Sequence, residues 1–195
     1  MPGVDRVTVD GEVVEPVRSW TYLMMNKPVG VLTSVGDPQG RPTVTDGLGV
    51  GGRLFPIGRL DLRSRGLVLL TDDGDLAMRV MHPRYAVEKE YLVVIAGRPT
   101  AAALQRLQRG MTIRGEQFLP ARVSVLDQTT SETRLSMVLH EGRKREVRRM
   151  WQALGHKVLD LQRIRIDGVR LGNLQEGATR SLTADEIAVL KSTVS

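Results

Sequence analysis

Residues 91–140, YLVVIAGRPTAAALQRLQRGMTIRGEQFLPARVSVLDQTTSETRLSMVLH, decide the fold class. YLVVIAG (91–97) is dense in β-branched residues, which suit a pleated, buried surface, and reads as a strand. Pro99 and Thr100 open a helix that Gly110 stops, because the fixed φ of proline suits a helix start and glycine accepts the reversal at its end. Three further strand signals follow with no helix between them, around 111–114, 118–126 and 133–140. Strands joined directly pair antiparallel, whereas a doubly wound parallel sheet needs a helical crossover after each strand. The expectation is an α+β protein with a mixed, mainly antiparallel β-sheet core flanked by helices.

Working outward, TYLMMNKPVGVLTS (21–34) reads as two strands broken at Lys27-Pro28 and Gly30, and residues 36–53 as a long loop rich in Gly, Pro, Asp and Thr. LVLLT (67–71) is a buried strand, followed by a short helix from Asp73 to His82 that Pro83 ends. A helix over Arg143–Leu154 is closed by Gly155. A strand follows at 157–166 with a turn at Asp167-Gly168, and Thr183 with Asp185 and Glu186 starts the last helix. Residues 1–19 hold one short strand–turn unit and a linker, leaving 20–195 as the main domain.

The chain has 195 residues, 41% of them apolar, enough for a core without covalent staples. It has no cysteine, which removes disulfides, thiol nucleophiles and Cys-ligated metals. The opening MPGVDRVTVD lacks the apolar run of a signal peptide, and no apolar stretch is long enough to span a membrane, so a cytoplasmic protein is expected. The net charge is +6. Residues 134–170 hold ten Lys and Arg against four acids and carry the whole excess, as expected of a phosphate-binding face. Within that window Val147, Met150, Trp151 and Leu154 form an apolar helical stripe. Arg145 and Arg149 face the opposite way, and Arg148 at the boundary can reach inward. The plain alternative is a solvated basic face.

Other chemistry is weakly signalled. Gly47, Gly49 and Gly52 match G-x-G-x-x-G, but Arg53-Leu54-Phe55-Pro56 follows where a dinucleotide site needs a helix. His82, His140 and His156 lack ligand spacing, so no metal is expected, and no Ser-His-Asp arrangement can be assembled. There remain Gly58-Arg59-Leu60-Asp61 before Ser64-Arg65-Gly66 and the buried strand, and Tyr91 after Glu88-Lys89-Glu90. Taken singly, an aspartate in a glycine-containing turn and a tyrosine at a strand head are more often structural.

Together, NKPVG (26–30), GRLD (58–61) with S-x-G-L-x-L-L-T-x-D-G (64–74), HP (82–83), EKEY (88–91) and EGRKREVRRM (141–150) occur in order at fitting distances. This set resembles the bacterial ribosomal RNA pseudouridine synthases of the RsuA family, from about residue 20 to 190. The resemblance implies the pseudouridine synthase fold with a central active-site cleft. It also implies an isomerisation in which a uridine base leaves the ribose at N1, turns, and rejoins through C5. No cofactor is implied. Asp61 would be the nucleophile, Tyr91 would sit on the base and assist loss of the C5 proton, and Arg148 would pair with the aspartate. Arg59, Lys27 and Lys89 would contact substrate. Arg143, Lys144, Arg145 and Arg149 would hold the RNA backbone, offsetting the few kcal/mol needed to extrude a base. The implied partner is ribosomal RNA or a pre-ribosomal particle, 23S rather than 16S, with a monomeric enzyme.

Arg65 stands where the family usually has Glu, and Asp72 where Asn is usual. Residues 5–19 resemble only the last strand and linker of the S4 domain that many members carry. Two other readings are a non-catalytic rRNA-binding protein with a vestigial site, against which the Asp61, Tyr91 and Arg148 set counts, and a synthase acting on tRNA.

Overall fold

Leu67-Val68-Leu69-Leu70 is apolar on both faces, and such a run belongs at the centre of a sheet rather than at its edge. A computed structural model, which describes residues 8–9, 12–13, 20–49 and 53–195, places it there. Strand β5 (Arg65–Thr71) pairs on one side with β3 (Tyr22–Lys27), antiparallel. On its other side lie β4 (Phe55–Ile57) at one end and β11 (Val158–Ile166) at the other. Beyond β11 come β6 (Lys89–Ala96), β10 (Glu132–Leu139) and β9 (Arg122–Gln128), all antiparallel. At the opposite margin β13 (Thr179–Ser181) pairs with β3, and β12 (Val169–Arg170) folds back on β11. Within this sheet the β5–β11 contact is the parallel pair, through Gln162 with Arg65 and Arg163 with Gly66. The sheet is mixed and mainly antiparallel, as expected.

Alternation along β5 divides the core. Leu67 and Leu69 face one side with Leu76, Ala77 and Val80 of α1 (Gly74–Met81) and Leu190 of α4 (Ala184–Thr193). Val68 and Leu70 face the other side with Leu107 of α2 (Ala101–Arg109) and Val147, Met150 and Trp151 of α3 (Glu146–Ala153). The helix starts are set locally: Asp73, Thr100 and Thr183 accept hydrogen bonds from first-turn amides, and Glu186 completes a capping box with Thr183.

Several boundaries differ from the expectation. The second strand in 21–34 is reduced to a single bridge between Leu32 and Thr43, because Gly30 turns the chain at φ 88°. The 118–126 signal splits at Pro120 into β8 (Glu116–Phe118), which pairs with β7 (Met111–Ile113), and β9. The third helix begins at Glu146 rather than Arg143, since Arg145 takes a left-handed conformation at φ 55° ahead of it. Phe55-Pro56-Ile57 and Thr179-Arg180-Ser181 are short strands that no periodicity announces. In the N-terminal unit, β1 (Thr8–Val9) and β2 (Glu12–Val13) pair antiparallel, and the remainder of the 1–19 segment lies outside the described residues. Among the described residues no helix is long and apolar enough to cross a membrane.

Candidate active site

Above the point where β5, β11 and β6 meet opens a cleft of about 750 Å³. Three walls enclose it, the loop Gly58–Ser64, the strand face carrying Lys89, Tyr91 and Arg163, and the segment from Leu139 to Val147, and Met81, His82 and Pro83 line it as well.

The first wall holds Asp61, half-buried on a loop pinned from below. Gly58, at φ 75°, turns the chain out of β4. Thr33 Oγ1 donates to the Leu60 carbonyl at 2.9 Å and accepts from the Leu60 amide at 3.2 Å. The Gly30 amide donates to the Leu62 carbonyl at 2.9 Å, and the Ser64 amide to the Asp61 carbonyl at 2.9 Å. The NKPVG segment is therefore the bed of the Asp61 loop. Lys27 explains its shape. Its side chain is 0% exposed, and its ammonium donates to the carbonyls of Pro28 at 2.7 Å and Val31 at 2.8 Å. Burial lowers its pKa to about 8, opposed by the charges of Glu176 and Asp61. Expected as a substrate contact, Lys27 is placed beneath the cleft as a brace. Arg59 is exposed on the cleft rim.

The strand face follows from alternation. Lys89 and Tyr91, two residues apart on β6, project to one side, while Glu88 and Glu90 turn away to bind Arg165 at 2.9 and 2.8 Å. Directly across from Tyr91 in the β6–β11 register sits Arg163, 2% exposed. Arg163 Nε donates to the Leu67 carbonyl at 2.8 Å, and its Nη2 is buried without a hydrogen-bond partner among the described residues. Burial raises the pKa of the Tyr91 phenol, while the Arg163 guanidinium pulls it back down. Lys89 donates to the Val87 carbonyl at 2.8 Å, and its pKa is lowered to about 8, first by burial and then by the charge of Arg163. On the far side of Arg163 the β5 partner is Gly66, at φ 105°, where a Cβ would stand 2.2 Å from the Arg163 carbonyl oxygen. Only glycine lets the two strands close there.

The third wall carries the basic segment. Arg143, Lys144 and Arg145 are exposed and line the cleft as a turn ahead of α3 rather than along its face. Arg149 is drawn aside: it bonds Glu116 at 2.9 Å, and its guanidinium carbon lies 4.8 Å from the centroid of the Phe118 ring. Arg148 reaches inward as expected, but its Nη2 donates to the Arg63 carbonyl at 2.9 Å and its Nη1 to the Val158 carbonyl at 3.2 Å. It grips the backbone of the Asp61 loop, and among the described residues it forms no ion pair with Asp61. Its pKa is lowered by burial and by Arg145, and held up by Asp61 and Asp160. The cleft cation closest in register to Tyr91 is thus Arg163, which sequence reasoning counted only as one of ten local charges. Its signal was available in the strand 157–166, but the pairing that sets it opposite Tyr91 is not. Arg65 forms a two-point pair with Asp160 at 3.1 and 2.7 Å, and Asp72 accepts from the Thr21 amide at 2.7 Å, so both departures from the family pattern are absorbed by the scaffold. Among the described residues no group of three or more His, Asp or Glu is arranged to hold a metal ion.

The family model for RNA pseudouridylate synthase matches residues 21–153, which carry the Asp61 loop, Lys89, Tyr91 and the basic segment, while Arg163 lies beyond them. The chain is 40% identical over 191 residues to the uncharacterized RNA pseudouridine synthase of Aquifex aeolicus (strain VF5), covering 97% of this chain and 76% of that protein. It is 37% identical over 192 residues to the ribosomal large subunit pseudouridine synthase B of Bacillus subtilis (strain 168), covering 97% and 78%. A crystal structure of a pseudouridylate synthase superposes with a TM-score of 0.81 at 36% identity, covering 91% of this chain and 76% of that one. With its five ordered motifs folded around one cleft, the chain belongs to the RNA pseudouridylate synthase family, as an RsuA-like catalytic domain.

Proposed function

We propose that the protein isomerises a uridine of large-subunit (23S) ribosomal RNA to pseudouridine, acting in the cytoplasm as a monomer with Asp61 as the nucleophile. The observation that carries this reading is the cleft itself, where Asp61, Tyr91, Lys89 and Arg163 converge beneath a basic rim. Relatives named ribosomal large subunit pseudouridine synthase B support the choice of RNA, among them the Bacillus subtilis protein and one from Pseudomonas aeruginosa at 38% identity.

In the reaction the N1–C1′ bond breaks, the base turns, and the C5–C1′ bond forms. The C5 proton is then lost and N1 gains one, so atoms and electrons balance without a donor or an oxidant. Asp61 is the nucleophile at the sugar. Tyr91 packs on the extruded base and assists removal of the C5 proton. Arg163 holds charge at the cleft floor, and Arg148 positions Asp61 through the Arg63 carbonyl. Arg59 and Lys89 meet the flipped nucleotide, and Arg143, Lys144 and Arg145 meet its phosphates.

Release of tritium from 23S transcript labelled at uridine C5 tests the assignment. Asp61→Asn is expected to reduce release by at least about 10³-fold with RNA affinity within about twofold, since the loss is confined to the chemical step. Undiminished turnover in that variant would sink the assignment, and release from tRNA in place of 23S transcript would move the substrate.

A further inference from the structure

Arg163 and Arg165 stand two positions apart on β11, where strict alternation would turn both side chains to one face. They face opposite ways. In the β6–β11 pairing Arg163 is set against Tyr91 and Arg165 against the adjacent Glu90, so Ile164 is an extra residue without a partner across the ladder. Such a β-bulge re-aims the side chains beside it and interrupts the ladder where it sits. Residues directly opposite in an antiparallel pair share a face. Arg163 therefore joins Tyr91 in the cleft, and Arg165 joins Glu90 behind it.

The two guanidinium groups also differ in their partners. Nη2 of Arg163 has none among the described residues, whereas every nitrogen of Arg165 donates. Its Nε bonds Glu90 Oε2 at 2.8 Å, its Nη2 bonds Glu88 Oε2 at 2.9 Å, and its Nη1 bonds the Asp167 carbonyl at 2.8 Å. The other oxygen of each carboxylate is held from beyond β6. Ser136 Oγ on β10 donates to Glu90 Oε1 at 2.8 Å, and Arg122 Nη2 on β9 donates to Glu88 Oε1 at 2.7 Å. One charged network thus crosses four adjacent strands on the face away from the cleft.

We propose that Arg165 is a positioning residue for the reaction: from behind β6 it fixes Glu88 and Glu90, so that Lys89 and Tyr91, which alternate with them, are held in the cleft against Arg163. The bulge creates both the need and the means. It breaks the backbone ladder between β11 and the head of β6 next to Tyr91, and it turns Arg165 to the rear, where a side-chain tie replaces the lost one. On the cleft face Lys89 and Arg163 are like charges that repel, and Lys89 donates to the nearby Val87 carbonyl, two residues back along its own chain. A tie from the rear opposes that repulsion without entering the space the base needs. The planar fork of arginine meets two carboxylates and a carbonyl at once, a geometry that the point charge of lysine does not reproduce. Its hydrogen bonds keep both acids below the usual carboxylate range, so the clamp is charged at neutral pH.

This inference rests on the reading that Tyr91 acts on the base in this cleft, and its first readout needs no turnover. The chain has three tyrosines, so protein labelled with carbon-13 at tyrosine Cζ gives three resonances by NMR. In Arg165→Met the Tyr91 resonance is expected to shift or broaden while those of Tyr22 and Tyr85 stay in place. The kcat for tritium release from 23S transcript is expected to fall about tenfold, with KM and RNA affinity within about twofold, since a displaced group slows the chemical step and removes no contact to RNA. Arg165→Lys should recover part of that loss. Arg165→Met also leaves two carboxylates without their shared cation and lowers Tm. The triple variant Arg165→Met, Glu88→Gln, Glu90→Gln removes these charges together, and is expected to bring Tm back near wild type while kcat stays about tenfold low and the Tyr91 resonance stays displaced. A return of kcat along with Tm would make the network merely structural and overturn the proposal, as would an unmoved Tyr91 resonance. If Arg165→Met does not fold, the triple variant decides on both readouts. Absence of tritium release from the wild-type protein, with the Tyr91 resonance responding as stated, would instead count against the catalytic reading alone.

Discussion

At residue scale, the site depends as much on side chains that are missing or hidden as on those that reach the cleft. Gly66 admits the Arg163 backbone at a distance no Cβ tolerates, in a conformation other residues rarely adopt. Gly66→Ala is therefore expected to cost at least about 3 kcal/mol, lowering Tm by roughly 6–12 °C in a thermal melt, by forcing β5 and β11 apart. Lys27 is the hidden counterpart. Lys27→Met leaves two backbone carbonyls unpaired below the Asp61 loop, with an expected loss of about 2–4 kcal/mol by urea unfolding and a fall in kcat through the loosened loop. These two positions also mark the reach of the sequence. Asp61, Tyr91 and the basic turn were legible as motif members. That Arg148 holds the Arg63 carbonyl and that Arg163 faces Tyr91 depend on contacts between residues far apart in the chain. The bonds of Lys27 reach only Pro28 and Val31, but the burial that makes it a brace is set by the sheet around it, which no local pattern encodes.

At the scale of elements, the apolar periodicities were the reliable guide. The buried run of β5, the stripe of α3 and the capped starts of α1, α2 and α4 each follow from residues within one or two turns of one another. The short strands β4 and β13 carry no such pattern, because their pairing is imposed by neighbours already in place. The displaced start of α3 has a functional consequence. Arg145 leaves the helix and becomes part of the cleft rim, while Arg149 stays on the helix and is spent on Glu116 and Phe118. The two cations that sequence reasoning placed on one face should therefore behave differently. Arg145→Ala is expected to reduce the slope of log affinity against log salt by about 0.7–0.9, the value of one phosphate contact. Arg149→Ala should change it far less, as measured by filter binding of rRNA at several salt concentrations.

Across the whole molecule, several buried groups titrate near the same pH and push stability in opposite directions. Glu146, raised from 4.5 to about 8, binds more protons folded than unfolded between those values, so its contribution falls as pH rises through that window. Lys27 and Lys89, lowered from 10.5 to about 8, bind fewer protons folded than unfolded above pH 8, so theirs rises from 8 to 10.5. Acids paired with arginines, such as Glu88, Glu90 and Glu186, add stability that is lost as pH falls below the usual carboxylate range. Unfolding free energy is therefore expected to show a local minimum near pH 8, visible in denaturant titrations at pH 5.5, 8 and 10. Glu146→Gln should remove its acidic arm, and Lys27→Met should weaken its alkaline one. The last consequence comes from the narrow parallel seam between β5 and β11. Most of the sheet can zip up through nearer contacts, but the seam joins residues 65 and 66 to 162 and 163, a long closure with a large loop entropy, exceeded in the central sheet by that of β13 on β3. Because the Asp61 loop lies on the β5 side of that seam and Tyr91 and Arg163 on the β11–β6 side, forms in which the seam has not closed lack the assembled reactive centre.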